Sequence, residues 1–222
     1  MQVDPDIQTP QQESAGTFRI VTQDLGKRFN REWIFRNLSF TFQSGTTYAI
    51  IGPNGSGKST LMQILWGQMP PSTGDIQYYA DHTRIDPTYW YRHVALAAPY
   101  MDLIDEFTLT EQLHFHFQLR RSRDNMDVPH LLEVLGLEKA SKKYIGNFSS
   151  GMKQRVKLGL ALLTQADAIF LDEPGTNLDE KAFAWYMDLL KNVPSNVLIL
   201  IASNQSREYP PDAVRLDLTT LK

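Results

Sequence analysis

Residues 49–60 read Ala49-Ile50-Ile51-Gly52-Pro53-Asn54-Gly55-Ser56-Gly57-Lys58-Ser59-Thr60, and every other part of the chain is read outward from them. Three apolar residues, the end of a buried strand, run into G-x-x-x-x-G-K-[ST], the P-loop pattern, with the helix-forming run Leu61-Met62-Gln63-Ile64-Leu65 directly after. Each residue type has a physical task. The glycines let the backbone turn tightly and point successive N–H groups at a phosphate chain. Lys58 brings a point charge to the β- and γ-phosphates, and the Ser59 hydroxyl suits Mg²⁺. The helix that follows turns its positive end to the anion. A glycine-rich turn with an incidental lysine is the bland alternative, but strand, loop and helix stand in the order the phosphate site requires. Gly52, Pro53, Asn54, Gly55, Ser56, Gly57, Lys58, Ser59 and Thr60 are therefore the expected cradle for a nucleoside triphosphate, with ATP and Mg²⁺ as cofactors.

Composition bounds the rest. The 222 residues can bury a substantial core, and 42% hydrophobic with 21% charged residues is ordinary for a globular protein. There are no cysteines, so neither a disulfide framework nor a thiolate zinc site is available. No apolar run approaches the ~18 residues of a membrane span. Residues 1–16 contain Asp4, Asp6 and Glu13 and no Lys or Arg, and they lack a basic n-region and an apolar h-region. They read as a disordered polar N-terminus. Their charge equals the −3 of the whole chain, so the body from residue 17 to 222 is neutral, which argues against a nucleic-acid partner.

Hydrophobic periodicity predicts strands over Thr17–Leu25, Trp33–Phe42, Thr46–Ile51, Asp75–Tyr79 and His93–Ala98, with a helix from Lys58 to Trp66. From Pro99 the pattern becomes helical, with helices over Leu109–Leu119 and Val128–Leu135 and a long one capped by Ser149. Ala168–Leu171 and Val197–Ala202 are apolar on both faces, the mark of parallel strands covered by helices, and Glu180–Lys191 is a helix between them. The fold class is α/β: a P-loop NTPase with a mixed β core and an inserted helical subdomain at about residues 99–160.

Phe148-Ser149-Ser150-Gly151-Met152-Lys153-Gln154-Arg155, followed by Ile169-Phe170-Leu171-Asp172-Glu173-Pro174, resembles the signature helix and Walker B strand of the ATP-binding-cassette (ABC) ATPases. Over residues 17–222 the motifs follow that family's order and spacing. The resemblance implies the ATP-binding and ATP-hydrolysing subunit of a transporter. It would work as two head-to-tail cassettes, a homodimer, that close on ATP and drive a multi-span membrane permease subunit from the cytoplasmic face of the membrane. The signature and compactness are most similar to small bacterial exporter ATPases of the haem-exporter type. A soluble mechanical ATPase of cell division or iron–sulfur assembly, and a nucleotide-gated dimerising subunit that hardly hydrolyses ATP, are the competing readings.

Asp172, at the C-terminal end of a buried strand, is the candidate carboxylate for the metal. Glu173 is the candidate base for the attacking water, a contribution of typically ~10²–10⁴-fold in rate. Ser149, Ser150 and Gly151 would offer the helix N-terminus of one subunit to the γ-phosphate held by the other. Family members usually read L-S-G-G-Q here, so Phe148, Ser150 and Met152 are departures while Ser149 and Gly151 match. Phe29 resembles the adenine-stacking aromatic, with a core phenylalanine as the competing reading. Asp179 resembles a residue through which the two sites sense each other, or is simply a helix N-cap.

Two further departures matter more. Pro99 stands where the family has a glutamine that reaches the metal, and proline offers neither a side-chain acceptor nor an N–H. Asn204 stands where the family has a histidine on the γ-phosphate; it can donate a hydrogen bond but cannot carry a proton or charge. Asp102 is either a stand-in metal-shell carboxylate or a solvated loop acid. Binding and closure are expected to survive, with hydrolysis slower or tuned differently from the family norm. Residues 100–117, with Met101, Leu103, Ile104, Phe107, Phe115 and Phe117, are either a docking surface for a permease helix or a small helical core. His114 and His116, two apart on a helix, point to different faces and form no metal site.

Overall fold

The computed structural model describes residues 17–221; the expectation for residues 1–16 lies outside them. Two sheets share one core. β1 (Phe18–Phe29), β2 (Glu32–Gln43), β4 (Thr73–Ala80) and the short β5 (Thr83–Arg84) form an antiparallel sheet in the order β2-β1-β4-β5. β3 (Thr47–Ile51), β6 (Val94–Ala97), β7 (Ala168–Asp172), β8 (Leu198–Ala202) and β9 (Val214–Asp217) form a parallel sheet in the order β6-β7-β8-β3-β9. α1 (Lys58–Leu65) follows the P-loop, α2 (Leu109–Leu119), α3 (Val128–Leu135) and α4 (Ser150–Leu162) lie between β6 and β7, and α5 (Glu180–Lys191) links β7 to β8.

The strands that read as apolar on both faces are so because each face has its own cover. Ile50, Phe170 and Leu200 pack into one cluster with α1 (Leu61, Met62, Leu65) and the antiparallel sheet (Ile20, Phe35, Phe42). Their chain neighbours Ile169, Leu171, Ile199 and Ile201 point the other way, onto Leu158 and Leu162 of α4 and Phe183 and Tyr186 of α5. Successive strand residues alternate between two dry interfaces, so no polar face is left. A third cluster belongs to the helical segment: Leu109 and Leu113 of α2, Leu131 and Leu135 of α3, and Val156, Leu160 and Leu163 at α4. α4 feeds both clusters, which fixes the signature end of this helix relative to the sheet.

The strand readings differ from the structure at their ends. β1 continues to Phe29 through irregular register at Thr22–Arg28, because its pairing with β2 outlasts the alternation by which it was recognised. β5, β9 and the 3₁₀ turn over Pro87–Arg92 were not anticipated; they are too short to show a period. Capping follows the sequence. Thr108 and Glu111 form a capping box on α2, Asp127 caps α3 and Ser149 caps α4 by accepting from the Met152 N–H at 3.3 Å. Asp179 accepts from the Ala182 N–H at 2.7 Å, so the N-cap reading of that residue is the one the geometry shows.

Candidate functional site at the C-terminal edge of the parallel sheet

β3, β7 and β8 end in register: Ile50 pairs with Ala202, and Ala202 with Asp172. The P-loop, the acidic pair and Asn204 are therefore delivered to one edge, where ligand sites of open α/β sheets lie. Two backbone bonds lock the ends together, Glu173 N–H to Ala202 O (2.8 Å) and Ser203 N–H to Ile50 O (3.1 Å).

The loop has the shape its glycines permit. Gly57 adopts φ 102°, and a Cβ there would overlap Ile34 of β2, so a tight turn and a close approach coincide at this residue. It places α1 with no side-chain cap, leaving the first-turn N–H groups free for an anion. Lys58 is buried at 5% exposure, and its ammonium donates to Gly52 O (2.9 Å) and Pro53 O (3.2 Å). The loop thus holds its own cation across its mouth. Ser56 is buried with its hydroxyl unpartnered, while Pro53, Asn54 and Gly55 are exposed and Ser59 and Thr60 half-buried on the first turn of α1.

Asp172 is 1% exposed, and neither carboxylate oxygen has a hydrogen-bond partner. Burial pushes its pKa up to about 6; Glu173 adds to the rise, while the Ser59 hydroxyl and Lys58 oppose it. A buried carboxylate this poorly compensated is expensive unless a cation completes it. Two free carboxylate oxygens beside a serine hydroxyl are a hard, oxygen-only donor set, which fits Mg²⁺. Glu173 is half-buried in the left-handed region at φ 48°, a strained position for a non-glycine residue, next to Asp172. Asn204 is exposed and donates from Nδ2 to Asn54 Oδ1 at 2.9 Å, placing it against the P-loop.

The remaining candidates lie elsewhere. Phe29 is 46% exposed with the Lys27 ammonium 5.2 Å from its ring centre, so it is no core residue. Ser149, Ser150 and Gly151 line a separate cleft of about 290 Å³ with Met152, Arg155, Asn177 and Asp179; no P-loop residue takes part in it. Asp102 is exposed near the Lys157 ammonium, which donates to Pro99 O at 3.1 Å. In residues 100–117, Leu109 and Leu113 are buried whereas Tyr100 and Phe115 are 41% and 44% exposed, so the segment divides between core and surface.

Three polar residues were not anticipated. Tyr100, beside Pro99, has its phenol pushed up by burial and by Asp172. Gln154 of α4 donates to Pro174 O at 3.0 Å. Glu208 is buried against Ser203. Gln154 lay within a motif and Tyr100 at the start of the apolar segment 100–117; Glu208 stands where no pattern marks it.

The comparisons with known proteins agree with this geometry. The ABC transporter family profile matches residues 35–176. The chain is 28% identical over 185 residues to the uncharacterized ABC transporter ATP-binding protein YybJ of Bacillus subtilis, covering 83% of this chain and 84% of that one. It is 32% identical over 163 residues to the Nod factor export ATP-binding protein I of Burkholderia lata, covering 72% of this chain and 54%, about half, of that relative. Among solved structures, an ABC transporter ATP-binding protein from Pyrococcus furiosus superposes with a TM-score of 0.76 at 21% identity, covering 91% of this chain and 98% of that one. A bacterial ABC transporter cassette solved as a dimer gives 0.73 at 22% identity, covering 90% and 94%. The profile match over residues 35–176 covers more than half of the chain, and the chain belongs to that family: the ABC transporters, as an ATP-binding, ATP-hydrolysing cassette.

Proposed function

We propose that this cassette works as half of a head-to-tail dimer in which ATP and Mg²⁺ are enclosed between the P-loop edge of one copy and the Ser149–Gly151 face of the other. One observation carries the reading. The Ser149–Gly151 cleft and the P-loop edge are both formed, yet no P-loop residue lines that cleft. Lys58 and the free N–H groups of α1 hold the phosphates. Ser59 and Asp172 hold Mg²⁺, which when bound offsets phosphate charge. Glu173 orients the attacking water and accepts its proton, Asn204 donates a hydrogen bond towards the γ-phosphate, and Phe29 stacks on the base.

With Pro99 and Asn204 in place of a glutamine and a histidine, binding and closure survive while hydrolysis is slower or tuned differently from the family norm. The exposed Tyr100 and Phe115 are apolar groups suited to contact with a multi-span permease, and they support a reading of the cassette as a cytoplasmic subunit docked at the membrane. No helix among the described residues is long and apolar enough to cross a membrane itself. An exporter of the haem type remains the favoured transporter class. The test is the mass of Glu173→Gln by light scattering with and without Mg-ATP, alongside a membrane pull-down. A doubled mass that needs ATP and is lost in Ser149→Ala supports the reading. A monomer at saturating ATP sinks it.

A further inference from the structure

Beyond β8 the chain turns through Ser203, Asn204 and Gln205 into a 3₁₀ turn, Ser206–Glu208. Glu208 is 1% exposed, and among the described residues no cation forms an ion pair with it; the neighbouring Arg207 pairs with Glu180 instead. An apolar side chain would fill the space without the penalty of burying a carboxylate. What the carboxylate adds is a bridge. Its Oε2 accepts from the Ser203 hydroxyl at 2.6 Å, which opposes the burial that raises its pKa, and its Oε1 lies against the Gly175 backbone. A Cβ on Gly175 would overlap the carboxylate, so glycine is what permits the approach.

The two bridged residues sit in functional loops. Ser203 directly precedes Asn204, and Gly175 comes two residues after Glu173. The fully buried Tyr186 of α5 fixes the clamp from behind, donating to Glu208 O at 2.7 Å. On its other side, the loop after Glu173 is held by Gln154 through Pro174 O.

We propose that Glu208 is a positioning residue for hydrolysis: its carboxylate ties the turn carrying Asn204 to the loop that follows Glu173, so the two groups facing the γ-phosphate are held as one unit. The inference rests on the roles given above to Glu173 and Asn204. Glu208 itself touches neither nucleotide nor reacting atoms. Misplacing a catalytic group by about 1 Å costs on the order of 10²-fold in rate, so the effect belongs in kcat rather than in ATP affinity.

The test compares the full chain with Glu208→Ala, Glu208→Gln, Ser203→Ala and the Ser203→Ala/Glu208→Ala double variant. It measures turnover against ATP concentration, affinity for a fluorescent ATP analogue, and thermal melting. The expected result is a fall in kcat of about tenfold or more in Glu208→Ala with affinity nearly unchanged. Glu208→Gln retains much of the activity, since its amide keeps the packing against Gly175 and can donate to Ser203 Oγ. Ser203→Ala loses turnover as well, and the double variant loses no more than Glu208→Ala alone. Wild-type turnover in Glu208→Ala overturns the proposal. So does a parallel loss of affinity, melting temperature and turnover across the variants, the outcome of a merely structural role. Should Glu208→Ala fail to fold, Glu208→Gln and Ser203→Ala decide. Glu173→Gln separates the levels: normal turnover there overturns the underlying functional reading, whereas an inactive Glu173→Gln beside a normal Glu208→Ala overturns only this inference.

Discussion

The sheet edge that carries Lys58, Asp172 and Glu173 and the helical segment that carries Ser149 and Gly151 hold their functional groups by opposite means. At the edge, charges are taken out of water: Asp172, 1% exposed, ends a buried strand, and Lys58, 5% exposed, is held by the loop carbonyls it donates to. At the start of α4, Ser149 and Ser150 are exposed, and what is offered is a helix N-terminus facing solvent. A buried, desolvated set is organised before the ligand arrives, and its electrostatics are strong. An exposed terminus acts weakly until something closes over it. Under the proposed function, the first set would hold the phosphates within one copy and the second would act only once another copy closes over it.

The comparison breaks most visibly at Glu173. Glu173→Gln is expected to lower turnover by about 10²–10⁴-fold while nucleotide affinity holds, read by steady-state kinetics beside a binding titration. Next in size is a change of stability in the helical cluster. Leu113 is 1% exposed within it, and Leu113→Ala should cost about 2–5 kcal/mol in denaturant unfolding. If the helical segment and the sheet fold as one unit through α4, a single transition moves; two transitions would show that the halves unfold separately.

A smaller effect concerns pH. His116 accompanies the Thr164 hydroxyl at 2.8 Å, and burial, helped by Arg120, lowers its pKa from 6.5 to about 4. The folded state therefore favours the neutral ring. Its contribution is fully present above pH 6.5 and is lost as pH falls towards 4, a decline on the order of 1–3 kcal/mol. His116→Gln should flatten that limb of the stability profile; an unchanged limb would assign the decline to other groups. The smallest expected change is Asn204→His, which restores a charge-bearing group beside Asn54 and should raise turnover several-fold without altering ATP affinity.

Much of this was legible in the chain. The P-loop and the Asp172-Glu173 pair could be read because each requirement falls on consecutive residues, and the buried strands because alternation between two covers leaves them apolar throughout. Phe29 could not be settled, since an aromatic at a strand end suits either a core or a surface. Its exposure follows from how far β1 runs beside β2. Glu208 and Tyr100 were invisible for a different reason. Glu208 lies against Gly175 in the loop after β7, and Tyr100 near Asp172 at the end of β7, and no local pattern announces a contact made from one strand end to another.

The sequence by itself determined that this chain binds ATP and belongs among the ABC cassettes, because phosphate recognition and strand–loop–helix order are local. Only the tertiary structure decided which groups meet. It set Asn204 against Asn54, left Asp172 without a hydrogen-bond partner, put Ser149 and Gly151 in a cleft that no P-loop residue lines and drew Glu208 between Ser203 and Gly175. Those relations depend on the parallel register of β3, β7 and β8 and on α4 packing in two cores at once, which are long-range contacts that no short motif encodes.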